Sequence, residues 1–412
     1  MISVSTTYAL KSLFRHTRRT LLSVVGVAIG CASSLITIAF VRGEGEMFMR
    51  SVAETGNGHL RVAPDGWARV RDDDMRVAHW KEELAKLRAN DGVKVAAPRS
   101  HITALLGAGI RTVGTQIAGV DPVAEPQVNR LVRGVMQQGR YLAPGDAGQP
   151  EVPVVVGQAV VDRLEIELDD LIVATAAGVT DELNQVMLRV VGIVSTQSAE
   201  IDLTICHVPL ADFERICGQP GAGEISVLLK DHRLVQEYRD TLAASACEGN
   251  EVITWAEVAP AIADGVKIDE SFTDLTVVIV IFLVFLGITS AQLTAVLERR
   301  REFAVLSAVG MRGTGLVRIM FIEGVIVGIA GAAFGLVLST PLIYWLAATG
   351  LRFFPESTVT AGVLLDSVLY ADIGAWLIPY GLAISLTATV LASLYPAWYA
   401  ARTDPAAALR SA

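Results

Sequence analysis

The chain has 412 residues, of which 52% are hydrophobic and 19% are charged, with a mean hydropathy of +0.47. Soluble domains carry about a quarter charged residues, so this composition excludes both an all-soluble protein and a disordered one. The net charge of −9 argues against a nucleic-acid partner, because nucleic-acid binding favours a basic surface. The length allows two or three structural units.

Four uncharged apolar windows predict four membrane-spanning helices. They are Leu21–Val41, Leu275–Leu297, Gly324–Gly350 and Ile373–Ala401, with 21, 23, 27 and 29 residues. A bilayer core about 30 Å thick needs about 20 apolar helical residues, so each window is long enough to span it. The first window is longer than the apolar core of a signal peptide, which has about 7–15 residues, and we interpret it as an uncleaved anchor.

The distribution of basic residues predicts the topology. Lys and Arg bias short loops to the cytoplasm, which places segments 1–20, 298–318 and 402–412 inside. The spans are then 21–41, 275–297, 319–346 and 373–401, and segment 42–274 and the 347–372 loop lie outside. Segment 42–274 holds 22 basic and 36 acidic residues, a net charge of −14, as expected for an external head.

The external segment 42–274 has the pattern of an α/β or α+β domain with two subdomains. Its β-like runs are His59–Ala63, Val93–Ala97, Val152–Val156, Leu171–Ala176, Val186–Val194 and Ile225–Leu229. Its helical runs are His79–Asn90, Gln158–Leu164, Leu210–Cys217 and Leu234–Ala246. Breaks are predicted near Asp121–Pro126 and Pro144–Pro153. Two further helical runs, Glu44–Val52 and Ala256–Asp274, predict stalks that either transmit motion or serve as static supports.

The sequence contains no catalytic motif. It lacks a Gly-Lys dipeptide, which excludes a P-loop, and it lacks HExxH and GxSxG. Its six histidines show no metal-ligand spacing. We therefore expect no catalytic residue, metal or cofactor in this chain. Cys31 lies in the first span, and Cys206, Cys217 and Cys247 lie in the external segment, where one disulfide or free thiols are both compatible with the spacing.

Segment 298–318 predicts a short amphipathic helix that a glycine ends, since glycine accepts the left-handed cap conformation. The residues that define it are Arg300, Arg301, Glu302, Phe303, Leu306 and Gly310. One interpretation is a basic turn that lies on lipid headgroups. The other is a coupling helix that contacts a cytoplasmic motor subunit.

Small residues recur at four-residue spacing in two of the spans. The first span contains Gly26 and Gly30, and the third contains Gly324, Gly328, Gly331 and Gly335. Such residues let helix backbones approach closely in a membrane, where no hydrophobic drive exists between helices. They predict helix packing within the chain or a seam between subunits.

One span, a large head and three further spans resemble the MacB/FtsX-type ABC transporter permease family over nearly the whole chain. The resemblance is carried by Ala9–Leu13, Arg18–Leu22, Gly26–Gly30, Arg300–Gly310, Tyr395–Ala397, Ala401–Arg402 and Asp404–Arg410 in the membrane part, and by Gly157–Leu164, Asp169 and Val190–Ile193 in the head. Within the family, Gly58–Val62 is similar to the lipoprotein-releasing permeases LolC/LolE. The loop departs from many relatives at Phe303-Ala304, where they carry Ile-Gly.

The resemblance implies a non-catalytic permease subunit in the bacterial inner membrane with both termini cytoplasmic. Its implied partners are LolD-like ABC ATPase subunits that bind ATP and Mg, a second permease subunit (identical or homologous), lipoprotein cargo, a LolA-like periplasmic carrier and membrane lipids. Coupling to the ATPase through segment 298–318 implies mechanotransmission. Because an exposed lipid anchor is costly, we expect an apolar cavity at the outer ends of the first two spans. Its candidate walls are Ile36, Phe40, Met47, Phe48, Phe272, Val277 and Ile281.

Three other functions remain open at this point. An FtsX-like regulator would activate a periplasmic cell-wall hydrolase without transport, although a head of about 230 residues favours a transporter. A MacB-like efflux permease carries its ATPase on the same chain, before the first span. A membrane receptor or scaffold would have no ATPase at all.

Overall fold

A computed structural model describes residues 17–133, 136–178, 183–298, 302, 305, 311, 313–352, 354–355, 358–360 and 362–401. The chain divides into two compact units. We call the first the helical unit; it comprises Met1–Glu44, Lys267–Leu351 and Leu369–Ala412. The second, the head, comprises Gly45–Val266 and Arg352–Val368.

The described α-helices are α1 Thr17–Ala53, α2 Trp67–Val70, α3 Trp80–Ala89, α4 Glu125–Val128, α5 Gln158–Leu164, α6 Ala199–Asp202, α7 Leu210–Cys217, α8 Val235–Ser245, α9 Trp255–Val258, α10 Pro260–Glu298, α11 Gly313–Thr349 and α12 Leu377–Ala401. The described strands are β1 Leu60–Pro64, β2 Val93–Ala108, β3 Arg111–Val120, β4 Met136–Gly139, β5 Val152–Gly157, β6 Leu171–Ala177, β7 Leu183–Val194, β8 Cys206–Pro209, β9 Glu224–Leu229, β10 Asn250–Thr254, β11 Leu351–Arg352, β12 Val359–Thr360, β13 Val363–Leu364 and β14 Val368–Leu369.

Among the described residues, four helices are long and apolar enough to cross a membrane. The candidate spans are Thr20–Ala53, Pro260–Glu298, Gly313–Thr349 and Leu377–Tyr399. The predicted stalk Glu44–Val52 lies within α1, whereas the predicted stalk Ala256–Asp274 is interrupted at Ala259, between α9 and α10. Ala259 leaves the helical region because it precedes Pro260, whose ring disfavours helical backbone at the residue before it.

The head contains a ten-stranded mixed sheet with the order β10-β1-β9-β2-β3-β8-β5-β7-β4, and β6 pairs with β2 and β7. Most neighbours are antiparallel, but β3–β8 and β5–β7 are parallel. The long strand β2 pairs with β9 through its first half and with β3 and β6 through its second half. This mixed sheet with helices packed on it agrees with the predicted α/β or α+β head, and its mostly antiparallel pairing favours α+β.

The two largest hydrophobic cores among the described residues lie in the head, and neither predicted break separates them. One core is built from residues 102–217 and includes Leu106, Ile172 and Phe213. The other combines residues 60–96 with residues 225–252. The second core therefore comes from chain segments on both sides of the first, which linear turn signals at 121–126 and 144–153 cannot reveal. The four cysteines are all free thiols, so the external cysteines form no disulfide.

Candidate functional site

Glycines bring the helices of the helical unit into close contact. A Cβ added at Gly331 would lie 2.3 Å from Cγ1 of Val27, and one at Gly335 would lie 2.7 Å from Cβ of Cys31, so α11 meets α1 there. Nearer the N-terminus of α11, Gly324 and Gly328 face α12. Added Cβ atoms would lie 2.2 Å from the Ser393 hydroxyl and 2.4 Å from the Thr389 hydroxyl.

Hydroxyl and amide groups strengthen this packing between the helices. Thr289 Oγ1 donates to the backbone oxygen of Ala392 at 3.2 Å, and Gln292 Nε2 donates to Ser393 Oγ at 3.0 Å. These bonds join α10 to α12. Hydrogen bonds of this kind hold membrane helices together where apolar contact alone does not favour association over lipid.

An apolar cleft of about 480 Å³ lies between α1 and α10. It is lined by Leu22, Ser23, Gly26, Ile29, Gly30, Ser33, Val280, Leu283, Val284, Gly287 and Ile288. Its volume falls within the range of about 300–1,000 Å³ that is typical of ligand sites. No charged side chain is among these lining residues, so the cleft is suited to hydrocarbon.

Three glycines shape the cleft in different ways. A Cβ at Gly30 would lie 2.3 Å from Val284 Cγ2, so this glycine sets the closest approach of α1 to α10. By contrast, Gly26 and Gly287 have no atom within 4 Å of an added Cβ. Gly26 and Gly30 form one motif in the sequence, but in the structure Gly30 contacts α10 whereas Gly26 borders open space in the cleft.

The predicted wall residues lie elsewhere than this cleft. Ile36 packs beside Leu35 and Ala39, whereas Val277 and Ile281 pack with Ile38. Phe40 is half-buried. The side chain of Phe272 is 64% exposed.

The other two predicted wall residues belong to the head. Met47 is buried, and Phe48 packs against Val52, with its ring centroid 6.4 Å from that of Phe354. The seven residues are thus divided among separate clusters. The predicted walls lie towards the outer ends of the first two spans, whereas the described cleft lies along residues 22–33 of α1 and 280–288 of α10. The cleft is therefore at a different level of the same two helices, and the cavity at their outer ends stays a prediction.

The predicted coupling segment falls largely outside the described residues. Arg300, Arg301, Phe303, Leu306 and Gly310 all lie outside them. Glu302 is described, and its side chain is half-buried. The coupling role of the segment therefore stays a prediction.

A buried ion-pair network crosses the head sheet. Arg61 Nη1 lies 2.7 Å from Glu224 Oε2, and Arg99 Nη2 lies 3.1 Å from Glu125 Oε1. His101 Nε2 approaches Glu224 Oε1 at 3.3 Å. Burial by itself raises the pKa of the Glu224 carboxyl, but Arg61, His101 and Arg99 together hold that pKa well below its usual range. Glu224 is therefore ionised at neutral pH.

Two buried histidines of the head are neutral at physiological pH. Burial, with nearby Arg99 and His101, lowers the pKa of His207 to about 3. Its Nδ1 lies 2.8 Å from the Tyr141 hydroxyl in a hydrogen bond. Burial, with His232 and Lys94, lowers the pKa of His59 to about 4. Among the described residues, no group of three or more His, Cys, Asp or Glu side chains could hold a metal ion.

The profile of the MacB-like periplasmic core domain matches residues 20–245, and that of the FtsX-like permease C-terminal region matches residues 275–405. The chain belongs to the MacB/FtsX-type permease family. This confirms the resemblance drawn from the sequence motifs. The chain is a membrane permease with four candidate apolar spans and a head of the periplasmic core type.

Curated relatives of this permease include proteins of two groups. The chain is 24% identical to the lipoprotein-releasing system transmembrane protein LolC of Neisseria meningitidis, covering 95% of this chain and 94% of LolC. It is 22% identical to LolE of Haemophilus influenzae, covering 94% and 93%. It is also 24% identical to the macrolide export ATP-binding/permease protein MacB of Hyphomonas neptunium, covering all of this chain and 61% of MacB.

Proposed function

We propose that this permease is the membrane subunit of an ABC transporter that releases lipoproteins from the inner membrane to a periplasmic carrier. A LolD-like ATPase on a separate chain would bind ATP and Mg and drive the cycle. A second permease subunit, identical or homologous, would complete the complex. In this proposal both termini are cytoplasmic and the head is periplasmic.

The observation that carries the proposal is the uncharged cleft between α1 and α10. A triacylated anchor has on the order of 45 methylenes, each of which costs about 0.8 kcal/mol when exposed to water. The acyl chains must therefore pass between apolar surfaces. A cleft between two candidate spans offers such a surface, and full-length likeness to LolC and LolE supports the choice of cargo.

Filling the cleft tests the proposal. Gly26→Leu adds a side chain to the cleft lining at a position where no atom lies within 4 Å of the new Cβ, so we expect it to occupy the open space of the cleft. We expect ATP-driven release of a triacylated lipoprotein from reconstituted vesicles to fall at least tenfold. Gly265→Leu is the matched control, because Gly265 lies in the same kind of open helical surroundings on α10 but outside the cleft.

Both substitutions improve helix propensity equally, so a difference between them reports the cleft. Equal release by wild type, Gly26→Leu and Gly265→Leu would refute lipid passage through the cleft.

A second candidate function is efflux of a small amphipathic molecule, which the MacB match over the whole chain favours. The same vesicles distinguish the two functions. Export of a macrolide with no release of acylated lipoprotein would replace the first proposal by the second.

A further inference from the structure

Residues 362–368 form a short segment of the head that we call the strap, and it is fastened to the end of α1. The backbone N–H of Asp366 donates to Ser51 Oγ at 3.0 Å, and that buried hydroxyl donates in turn to the backbone oxygen of Met47 at 2.8 Å. Arg50 Nε lies 3.0 Å from Asp366 Oδ2. The strap therefore contacts α1 through backbone, hydroxyl and charge together.

Apolar contacts reinforce this attachment. Val363 of the strap packs in a buried cluster with Val52 of α1 and Ile262 of α10. One short segment thus joins the ends of two long helices within the head.

The strap is equally fastened to the sheet of the head. Arg130 pairs with Asp366 Oδ1, and its Nη2 donates to the backbone oxygen of Leu364 at 2.7 Å. The Leu364 side chain belongs to a core that includes Val155 and Ile205. The Asp366 carboxylate consequently bridges two guanidinium groups, Arg50 on α1 and Arg130 in the turn that follows α4.

The position of the strap along the chain indicates what this bridge can do. The strap belongs to the segment Arg352–Val368, which the chain enters from α11 and leaves towards α12. A displacement of either helix is therefore passed along the covalent chain into the strap. From the strap it can reach α1 and the sheet together, and the Asp366 carboxylate pairs with both Arg50 and Arg130.

The two ion pairs of Asp366 contribute little to folding. Its side chain is 24% exposed, and partly exposed ion pairs add little to stability. None of Arg50, Arg130 and Asp366 belongs to either of the two largest cores of the head. A role in positioning explains the bidentate bridge better than a role in stability does.

We propose that Asp366 is a positioning residue that carries ATP-driven movement of α11 and α12 to the head. This rests on the proposed function only in that an ATPase drives the chain; the nature of the cargo does not enter.

The test uses the full chain with its ATPase in lipid nanodiscs and measures the ATP-dependent change in hydrogen exchange of the head. Asp366→Asn removes the charge and keeps the size. We expect the exchange change to fall at least fivefold while the ATP hydrolysis rate stays within twofold of wild type. Asp366→Glu restores the charge and should recover more than half of the response.

Asp121→Asn is the matched control. Asp121 pairs with Arg88 at 3.1 Å and its side chain is 26% exposed, so this variant loses a similar ion pair in the head away from the strap. Its response should equal that of wild type. A wild-type response in Asp366→Asn would overturn the proposal, as would an equal loss in Asp121→Asn.

A covalent replacement guards against misfolding of the single variant. The 3.0 Å contact between Asp366 N and Ser51 Oγ limits the separation of the two Cα atoms to about 7 Å, which a disulfide can bridge. In Ser51→Cys/Asp366→Cys, the oxidised form should respond to ATP and the reduced form should not. Equal responses in the two forms would contradict the proposal.

Lipoprotein release measured on the same samples separates the two claims. An exchange response that depends on Asp366, without release by wild type, would refute the cargo and leave the strap in place. Release by wild type, together with an undiminished exchange response in Asp366→Asn, would refute the role of Asp366 and leave the lipoprotein cargo in place.

Discussion

In the helical unit, glycines let neighbouring helices approach closely, as where Gly331 faces Val27, and hydroxyl groups such as that of Thr289 supply polar bonds between helices. In the head, polar contacts between full charges are buried, as where Arg61 lies 2.7 Å from Glu224. The difference follows from solvent. Lipid is as apolar as the helices, so no hydrophobic effect drives the helices together, and their association depends on close packing and hydrogen bonds. In the head, the hydrophobic effect already favours folding, and well-paired charges can be buried.

Removing one charge from the head network should have the largest effect on stability. Glu224→Gln leaves Arg61 and Arg99 buried with reduced compensation, and breaking a buried pair in this way costs about 3–5 kcal/mol. Chemical unfolding of the full chain in detergent, followed by fluorescence of the head tryptophans, measures this change. A decrease in the unfolding free energy of less than about 1 kcal/mol would show that water screens this network as it screens an exposed ion pair.

Mild acid should weaken the head next most strongly. His207 has a folded-state pKa of about 3, so it stays neutral in the folded protein while unfolded histidine takes up a proton near pH 6.5. Its contribution is therefore complete above pH 6.5 and is lost as the pH falls towards 3. Between pH 6.5 and 5 the free energy of unfolding should fall by about 2 kcal/mol.

The variant His207→Gln isolates this effect, because glutamine does not titrate. Its unfolding free energy should depend less steeply on pH than that of wild type over the same interval. An identical slope in both proteins would assign the acid sensitivity to other groups.

Adding one methyl group should distinguish the two kinds of glycine in the helical unit. Gly331→Ala would bring a Cβ to 2.3 Å from Val27, and overpacking of this kind costs about 1–3 kcal/mol, partly offset by better helix propensity. Gly26→Ala meets no atom within 4 Å and should be neutral or slightly stabilising. Thermal unfolding in the same detergent measures both, and equal midpoints would contradict the glycine contacts.

An exposed ion pair of the head should show the smallest effect. Arg189 lies 3.5 Å from Glu151, and both side chains are more than a third exposed. Solvent screening leaves such a pair worth at most about 1 kcal/mol, so Glu151→Gln should barely move the unfolding transition. A loss as large as that of Glu224→Gln would remove the distinction between buried and exposed charge.

Much of the fold follows from local sequence signals, and the contacts between distant segments do not. The helices Gln158–Leu164 and Leu210–Cys217 have the predicted bounds, because apolar periodicity and capping act locally. Strand Arg111–Val120 was not predicted, since two glycines and several polar residues mask its alternation. It is stabilised by pairing with both β2 and β8, which no short window contains.

The candidate site shows the same limit. The sequence predicts a cavity at the outer ends of the first two spans, but the described cleft lies along residues 22–33 and 280–288 of the same helices. Uniformly apolar helices give no signal for the level or the face at which two of them separate. In the sequence, Asp366 is one acidic residue of the 347–372 loop, and no local pattern indicates its partners. Its bridge to Arg50 and Arg130 depends on segments more than 200 positions away along the chain.

The central claim is that acyl chains occupy the cleft between α1 and α10, and photo-crosslinking tests it most directly. A photoreactive amino acid at Leu283, which lines the cleft and is 61% exposed, should capture a triacylated lipoprotein in the full complex, and added ATP should reduce the yield severalfold. A deacylated form of the same lipoprotein should not be captured. Equal capture of both forms, or capture of bulk phospholipid alone, would contradict the account.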